Sequence, residues 1–226
     1  MLCALLSSHG ACFYRPDEFP FQDERYFQRQ DESPDSVFYQ EPRFVTHIDD
    51  GAIKSLTEYY AHVMPQGSGT RTLPLPMQCV CSCDPKFDLP RLPLPDILDI
   101  CSSWISHLPD DLALGRVAGL GMNEAELSRN ARLTEHVARD LNIDPTLPYE
   151  DESFDFVTNV VSVDYLTKPM AIFEEMHRVL KPGGTALMSF SNRCFPTKAS
   201  RRPVVITSYL CVTACDSQVP VHTREV

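Results

Sequence analysis

No stretch of this chain stays apolar long enough to cross a bilayer as a helix. A surplus of base is also missing: 20 Lys and Arg against 31 Asp and Glu leave a formal net charge of -11. Non-specific binding to nucleic acid needs a cationic face, so the charge argues against a phosphate-backbone partner and a small-molecule partner is expected. No G-x-G-x-x-G follows an apolar run, which argues against a nicotinamide-dependent oxidoreductase. The nine cysteines lack a repeated secretory spacing, and Cys101 falls at the end of an apolar run. Reduced thiols in an intracellular compartment are therefore expected. Cys79, Cys81 and Cys83 alternate without an obvious fourth ligand, so no metal site is assigned. Met1–Leu6 is apolar without a basic flank, which argues against a signal peptide and leaves a plastid or mitochondrial transit segment open. No specific protein partner can be inferred.

What is present is one core's worth of apolar sequence, 43% of 226 residues, with its clearest order in residues 147–189. An acidic turn leads into the nearly continuous apolar run Phe154–Val163, which reads as a strand covered on both faces. Met170, Ile172, Phe173, Met176, Val179 and Leu180 then recur at spacings of three and four, the pattern of one apolar helix face. Lys181-Pro182-Gly183-Gly184 supplies a helix stop, and Thr185–Phe190 starts a further strand. The order is a parallel β-α-β unit.

The strings LPYEDESFDFV and EEMHRVLKPGGTALMSF resemble the C-terminal half of a class I S-adenosylmethionine-dependent methyltransferase domain of the type 11 kind. The resemblance implies an α/β fold: a doubly wound, mostly parallel Rossmann-like sheet, here short of sequence at its C-terminal edge. S-adenosylmethionine is the implied cofactor. The first strand is then Pro95–Cys101, and where the family has D-x-G-x-G-x-G this chain has Asp99-Ile100-Cys101-Ser102-Ser103-Trp104-Ile105-Ser106-His107. Asp99 and the small side chains of Cys101, Ser102 and Ser103 become candidate cofactor contacts, although Trp104 and Ile105 are not small. The second strand, Arg116–Asn123, carries Gly121 where the family has the acid that grips the ribose hydroxyls. Asn123 is the nearest polar substitute, and is equally a helix N-cap for a helix over 124–131. The third strand, Val137–Asn142, presents Asp140 and Leu141 to the adenine, and Asn159 lies where the fourth strand faces the cofactor. Asp155 of the Phe-Asp pair has a structural role in the family.

Around this core the expected divisions are an aromatic and charged extension over 1–48, a leading helix in 49–70, an irregular Pro- and Cys-rich insertion over 71–95, the methyltransferase-like domain over 96–199 and an irregular tail over 200–226. The aromatic segment 11–47 is suited to packing over a pocket. The leading helix has Ile53, Leu56, Tyr60 and Val63 on one face and Asp49 or Asp50 as cap. The implied activity is methyl transfer to a small-molecule acceptor, with His107 and Tyr165 as candidate acid-base helpers. The alternative is a non-catalytic relative that keeps the fold as a binding or scaffold module.

Overall fold

The computed structural model describes residues 2–6, 24–64, 93–191, 193–200 and 221–225, the first and last of these segments as backbone only. Strand β1 is Leu2–Leu6, β2 Ile97–Ile100, β3 Val117–Gly121, β4 Glu135–Ala138, β5 Phe154–Val160, β6 Leu180–Phe190 and β7 Val221–Glu225. Helix α1 is Asp35–Phe38, α2 Asp50–Val63, α3 Glu124–Leu127 and α4 Pro169–Val179. The sheet runs β4-β3-β2-β5-β6-β1-β7; its first five strands are parallel, and β1 and β7 are antiparallel additions beside β6. Strand β7 thus lies within the segment expected to be irregular. The insertion as far as residue 92, with its three cysteines, and residues 201–220 fall outside the described residues.

The β-α-β unit forms as its periodicity dictates. Ile172, Met176 and Val179 of α4 bury against Leu98, Ile100, Leu120 and Val157 on one face of the sheet. Leu56, Tyr60 and Met64 bury against Ile97, Val117 and Leu187 on the other. Alternate residues of each central strand therefore face opposite helical layers, and burying each large side chain contributes about 1.5–3 kcal/mol. Asp49 caps α2 by accepting from the Ala52 N–H at 2.9 Å.

The Lys-Pro-Gly-Gly stop is more compact than a loop. Strand β6 begins at Leu180 opposite Phe154, and its register then jumps so that Thr185 faces Phe156. The intervening residues are a bulge: Gly183 takes φ 82°, and a side chain on Gly184 would press on the Lys181 carbonyl at 2.8 Å and the Asp155 carbonyl at 3.1 Å. Lys181 itself turns back to Asp155 at 2.8 Å and Asp96 at 3.1 Å, while Asp155 accepts from the Asp96 N–H at 2.8 Å. Asp155 is thus structural. Arg178 ties the acidic turn to α4 by donating to the Leu147 and Tyr149 carbonyls, Asp151 and Glu175.

Two expected elements are shorter than their apolar patterns. Strand β5 ends at Val160 because Val161 takes φ 44°, outside the β region. Helix α3 stops after one turn, at Leu127, where the expectation ran to Ala131. Asn130 is diverted inward, donating to the Ser103 carbonyl at 3.0 Å and to Ser106 Oγ at 2.8 Å, which fastens the loop after β2 to the end of α3. Among the described residues no helix is long and apolar enough to cross a membrane.

Backbone closes on the end of β3 so that position 121 has no room for a side chain. A side-chain carbon on Gly121 would collide with the Ser102 carbonyl oxygen, with the Ser102 carbonyl carbon at 3.1 Å and Leu127 Cδ2 at 3.2 Å. The obstacle is backbone and cannot rotate away. Gly121→Ala is expected to cost about 1–3 kcal/mol, the range for overpacking, and Gly121→Asp at least as much. Chemical denaturation of the two variants checks this; an unchanged midpoint for Gly121→Ala would contradict the packing.

Candidate functional site

The carboxyl ends of β2, β3 and β5 meet where the strand order reverses, the place at which open α/β sheets bind ligands. A cavity of about 250 Å³ opens there. Its floor comes from residues after β2, β3, β4 and β5, and its cover from two segments remote in sequence: Asp35, Tyr39, Arg43, Thr46 and His47, and Arg193, Cys194 and Phe195. Four non-glycine residues of the wall, His47, Cys101, His107 and Val161, have φ between 44° and 60°. Such conformations are costly and concentrate at functional sites, where the surrounding structure holds them.

Of the eight residues expected to contact a cofactor, Asp99, Cys101, Ser102, Ser103, Asn123, Asp140 and Leu141 line this cavity. Asn159 lies behind the wall, 1% exposed and next to the Cys101 thiol; its carboxamide has no nitrogen or oxygen hydrogen-bond partner among the described residues. Asp99 is buried, accepting from Ser102 Oγ at 2.7 Å and Thr158 Oγ1 at 2.8 Å. Burial raises its pKa, opposed by those hydroxyls, and no described cation pairs with it. Burial, with Asp99 nearby, pushes the Cys101 thiol up to about 12, so it is protonated and inert. Asp140 accepts from the Asn142 N–H at 2.8 Å, leaving its second oxygen toward other partners, and Leu141 adds an apolar face.

Asn123 belongs to the wall but has no capacity to spare. Its Oδ1 accepts from the Ala125 and Glu126 N–H groups at 2.9 and 3.1 Å, and its Nδ2 donates to the Tyr39 and Gln40 carbonyls at 2.9 and 3.1 Å. It is a helix cap that also anchors the cover. Trp104, the bulky departure in the loop after β2, is turned away from the cavity and donates to the Val45 carbonyl at 2.9 Å. Ile105 does line it.

The cover is aromatic and charged, as the composition of residues 11–47 indicated. Phe195 stacks edge-on against Phe38 at 5.3 Å and His47 at 5.9 Å, and lies 6.0 Å from Tyr165. The Arg43 guanidinium sits 4.4 Å from the Phe38 ring and 5.2 Å from that of Phe195. Tyr165 Oη accepts from the Phe195 N–H at 2.8 Å, and burial pushes its phenol up to about 12. Burial lowers the pKa of both His47 and His107, favouring neutral imidazoles, and His107 Nδ1 is buried without a hydrogen-bond partner among the described residues. Both expected helpers, His107 and Tyr165, therefore line the cavity.

The roles of the cover residues were not readable from spacing, because their connection is long-range. Asp35 accepts from Arg29 at 2.7 Å, from Asn142 Nδ2 at 2.9 Å and from Lys198 at 3.2 Å. Lys198 has no solvent exposure and also reaches Asp31 at 3.3 Å and the Ser33 carbonyl at 2.6 Å. This buried cluster clasps the two covering segments to each other and to the loop after β4. Among the described residues, no group of three His, Cys, Asp or Glu side chains is placed to hold a metal.

A family model described as "Methyltransferase domain" matches residues 99–188. The chain is 32% identical over 100 residues to a demethylmenaquinone methyltransferase of Oceanobacillus iheyensis, covering 38% of this chain and 40% of that protein. It is 31% identical to the demethylmenaquinone methyltransferase of Roseiflexus castenholzii, covering 61% of this chain and 52% of that one. The chain thus spans about half or less of these relatives' length. A solved structure of a putative methyltransferase from Bacillus halodurans aligns at 24% identity and a TM-score of 0.37, over 42% of this chain and 44% of that one.

Burial by itself would raise the Asp35 pKa, but Arg29, Asn142 and Lys198 outweigh it and hold the carboxyl below its ordinary value. The stabilisation it contributes is therefore complete above the ordinary carboxylate range and is lost as pH falls below about 4. Asp35→Asn leaves Arg29 and Lys198 only the more exposed carboxylates of Glu32 and Asp31 and is expected to cost about 1–3 kcal/mol near neutral pH. Its melting temperature should converge on that of the parent chain as both are acidified, which calorimetry across that range measures.

Proposed function

Since residues 99–188 belong to the class I S-adenosylmethionine-dependent methyltransferase family, we propose that the cavity binds S-adenosylmethionine and that the chain transfers its methyl group to a small-molecule acceptor. The observation that carries this reading is the convergence of Asp99, from β2, and of Asp140 and Leu141, from the loop after β4, on one cavity wall. The wall's chemistry suits the ligand: Asp140 keeps an acceptor oxygen for an adenine amine, Leu141 gives the ring an apolar face, and Asp99, free of any described cation, suits the cationic methionine end. Cys101, Ser102 and Ser103 border the same space, while Asn159 shapes it from behind.

S-adenosylmethionine supplies an electrophilic sulfonium methyl, so the protein's part is proximity, orientation and exclusion of water. The cover of Tyr39, His47, Tyr165 and Phe195 would enclose the acceptor. Rings packed edge-on favour a planar, largely apolar acceptor, and the relatives named demethylmenaquinone methyltransferases support an acceptor of that general kind. A neutral His107 or His47 could take a proton from the attacking group without prior ionisation. The second reading, a binding module that has lost catalysis, is favoured by one observation: the Ser102 carbonyl fills the space where the family's ribose acid would branch from position 121.

Calorimetric titration with S-adenosylhomocysteine tests the cofactor, and transfer of labelled methyl from S-adenosylmethionine to candidate quinols tests the reaction. Asp140→Ala is expected to weaken binding about tenfold or more, the worth of one hydrogen bond to a charged group. Absence of binding by the parent chain would remove the reading; binding without turnover would favour the non-catalytic one.

A further inference from the structure

We infer that Glu126, on α3, supplies the carboxylate that grips the ribose hydroxyls of the bound nucleoside, in place of the acid that position 121 cannot carry. This rests on the cofactor reading above. Position 121 is closed by backbone: the Ser102 carbonyl lies where a side chain would begin, and the Ser102 N–H is bonded to the Leu120 carbonyl at 2.8 Å, so the two segments cannot separate without breaking that bond. Asn123 is closed by saturation, both its lone pairs and both its amide hydrogens being engaged. Met122 has no suitable group. The next polar side chain along the chain that borders the cavity is Glu126.

Its state also calls for a ligand. Glu126 is 8% exposed, and one oxygen, Oε1, accepts from the Arg43 N–H at 2.6 Å. Among the described residues it forms no ion pair. A carboxylate this buried, with one backbone partner and no cation, is costly unless further donors reach it. Two vicinal hydroxyls are such donors and need no countercharge. The bond to Arg43 adds a consequence: the residue that would sense the ribose also holds the segment bearing Arg43 and His47, so cofactor binding and closure of the cover share one carboxylate.

The test uses the full chain and two probes, S-adenosylhomocysteine and its 2′-deoxy analogue, titrated into the parent and Glu126→Gln. Gln keeps an acceptor oxygen for the Arg43 N–H, so a merely structural role would leave the ratio of the two affinities unchanged. Loss of the 2′-hydroxyl is expected to weaken binding to the parent chain at least tenfold, and to Glu126→Gln by less than threefold. An equal penalty in both proteins overturns the assignment of Glu126 while leaving the cofactor reading intact. Failure of the parent to bind S-adenosylhomocysteine removes both. Should Glu126→Gln not fold, a crystal structure of the parent with S-adenosylhomocysteine decides: a ribose oxygen within hydrogen-bond reach of the Glu126 carboxylate supports the assignment, and a ribose held by other groups overturns it.

Discussion

The contact of the Ser102 carbonyl with Gly121 sets the geometry of everything at the carboxyl edge of the sheet. Strand β2 leaves the sheet through Cys101 in a left-handed conformation, and the Ser102 N–H immediately bonds back to the end of β3. The loop therefore hugs its neighbouring strand. A glycine-rich turn lets backbone approach a ligand; here the glycine is on the strand and the close approach is between two pieces of backbone. Ser102 can then hydrogen-bond Asp99, Trp104 swings out to the cover, and Ser103 and Ser106 are caught by Asn130. The bulk introduced where the family has glycine is accommodated by direction as well as by size.

The cover depends on a different kind of interaction. Arg29, Asp35 and Lys198 come from both sides of the methyltransferase-like core in sequence and meet out of water, with the partly exposed Asp31 at the rim. A buried cluster of this kind is weak evidence for net stability, because desolvation offsets much of the Coulombic attraction. It does impose a single arrangement, because the two buried cations, Arg29 and Lys198, share the buried carboxylate of Asp35. The placement of Tyr39, Arg43 and His47 over the cavity thus rests in part on charges with no role in the proposed chemistry.

Inside the cavity the electrostatics run the other way. Asp99 and Glu126 are nearly excluded from solvent and have no described cation, while the two histidines are biased toward neutrality by burial. Carboxylates held apart from countercharges leave acceptor capacity for ligand hydroxyls, amines or a cationic centre, at some cost to the unliganded fold. Left-handed backbone at His47, Cys101, His107 and Val161 adds to that cost in the same few ångströms.

The amino-acid sequence by itself determined the parallel β-α-β unit, the helix stop at Lys181–Gly184 and the cap of α2. Each is written in short-range terms: apolar spacing of two or of three and four, a proline that cannot continue a helix, a glycine where φ is positive. Asp99, Asp140 and Leu141 were marked by the resemblance to a methyltransferase domain, which those same short strings carry. Only the tertiary structure decided that Gly121 has no room for a side chain, that Asn123 is saturated, that Trp104 faces outward and that Glu126 borders the cavity. It alone joined Asp35 to Lys198. Those outcomes turn on which backbone atoms touch and which donors find acceptors across as many as 165 positions of chain, and local periodicity carries no information about such pairings.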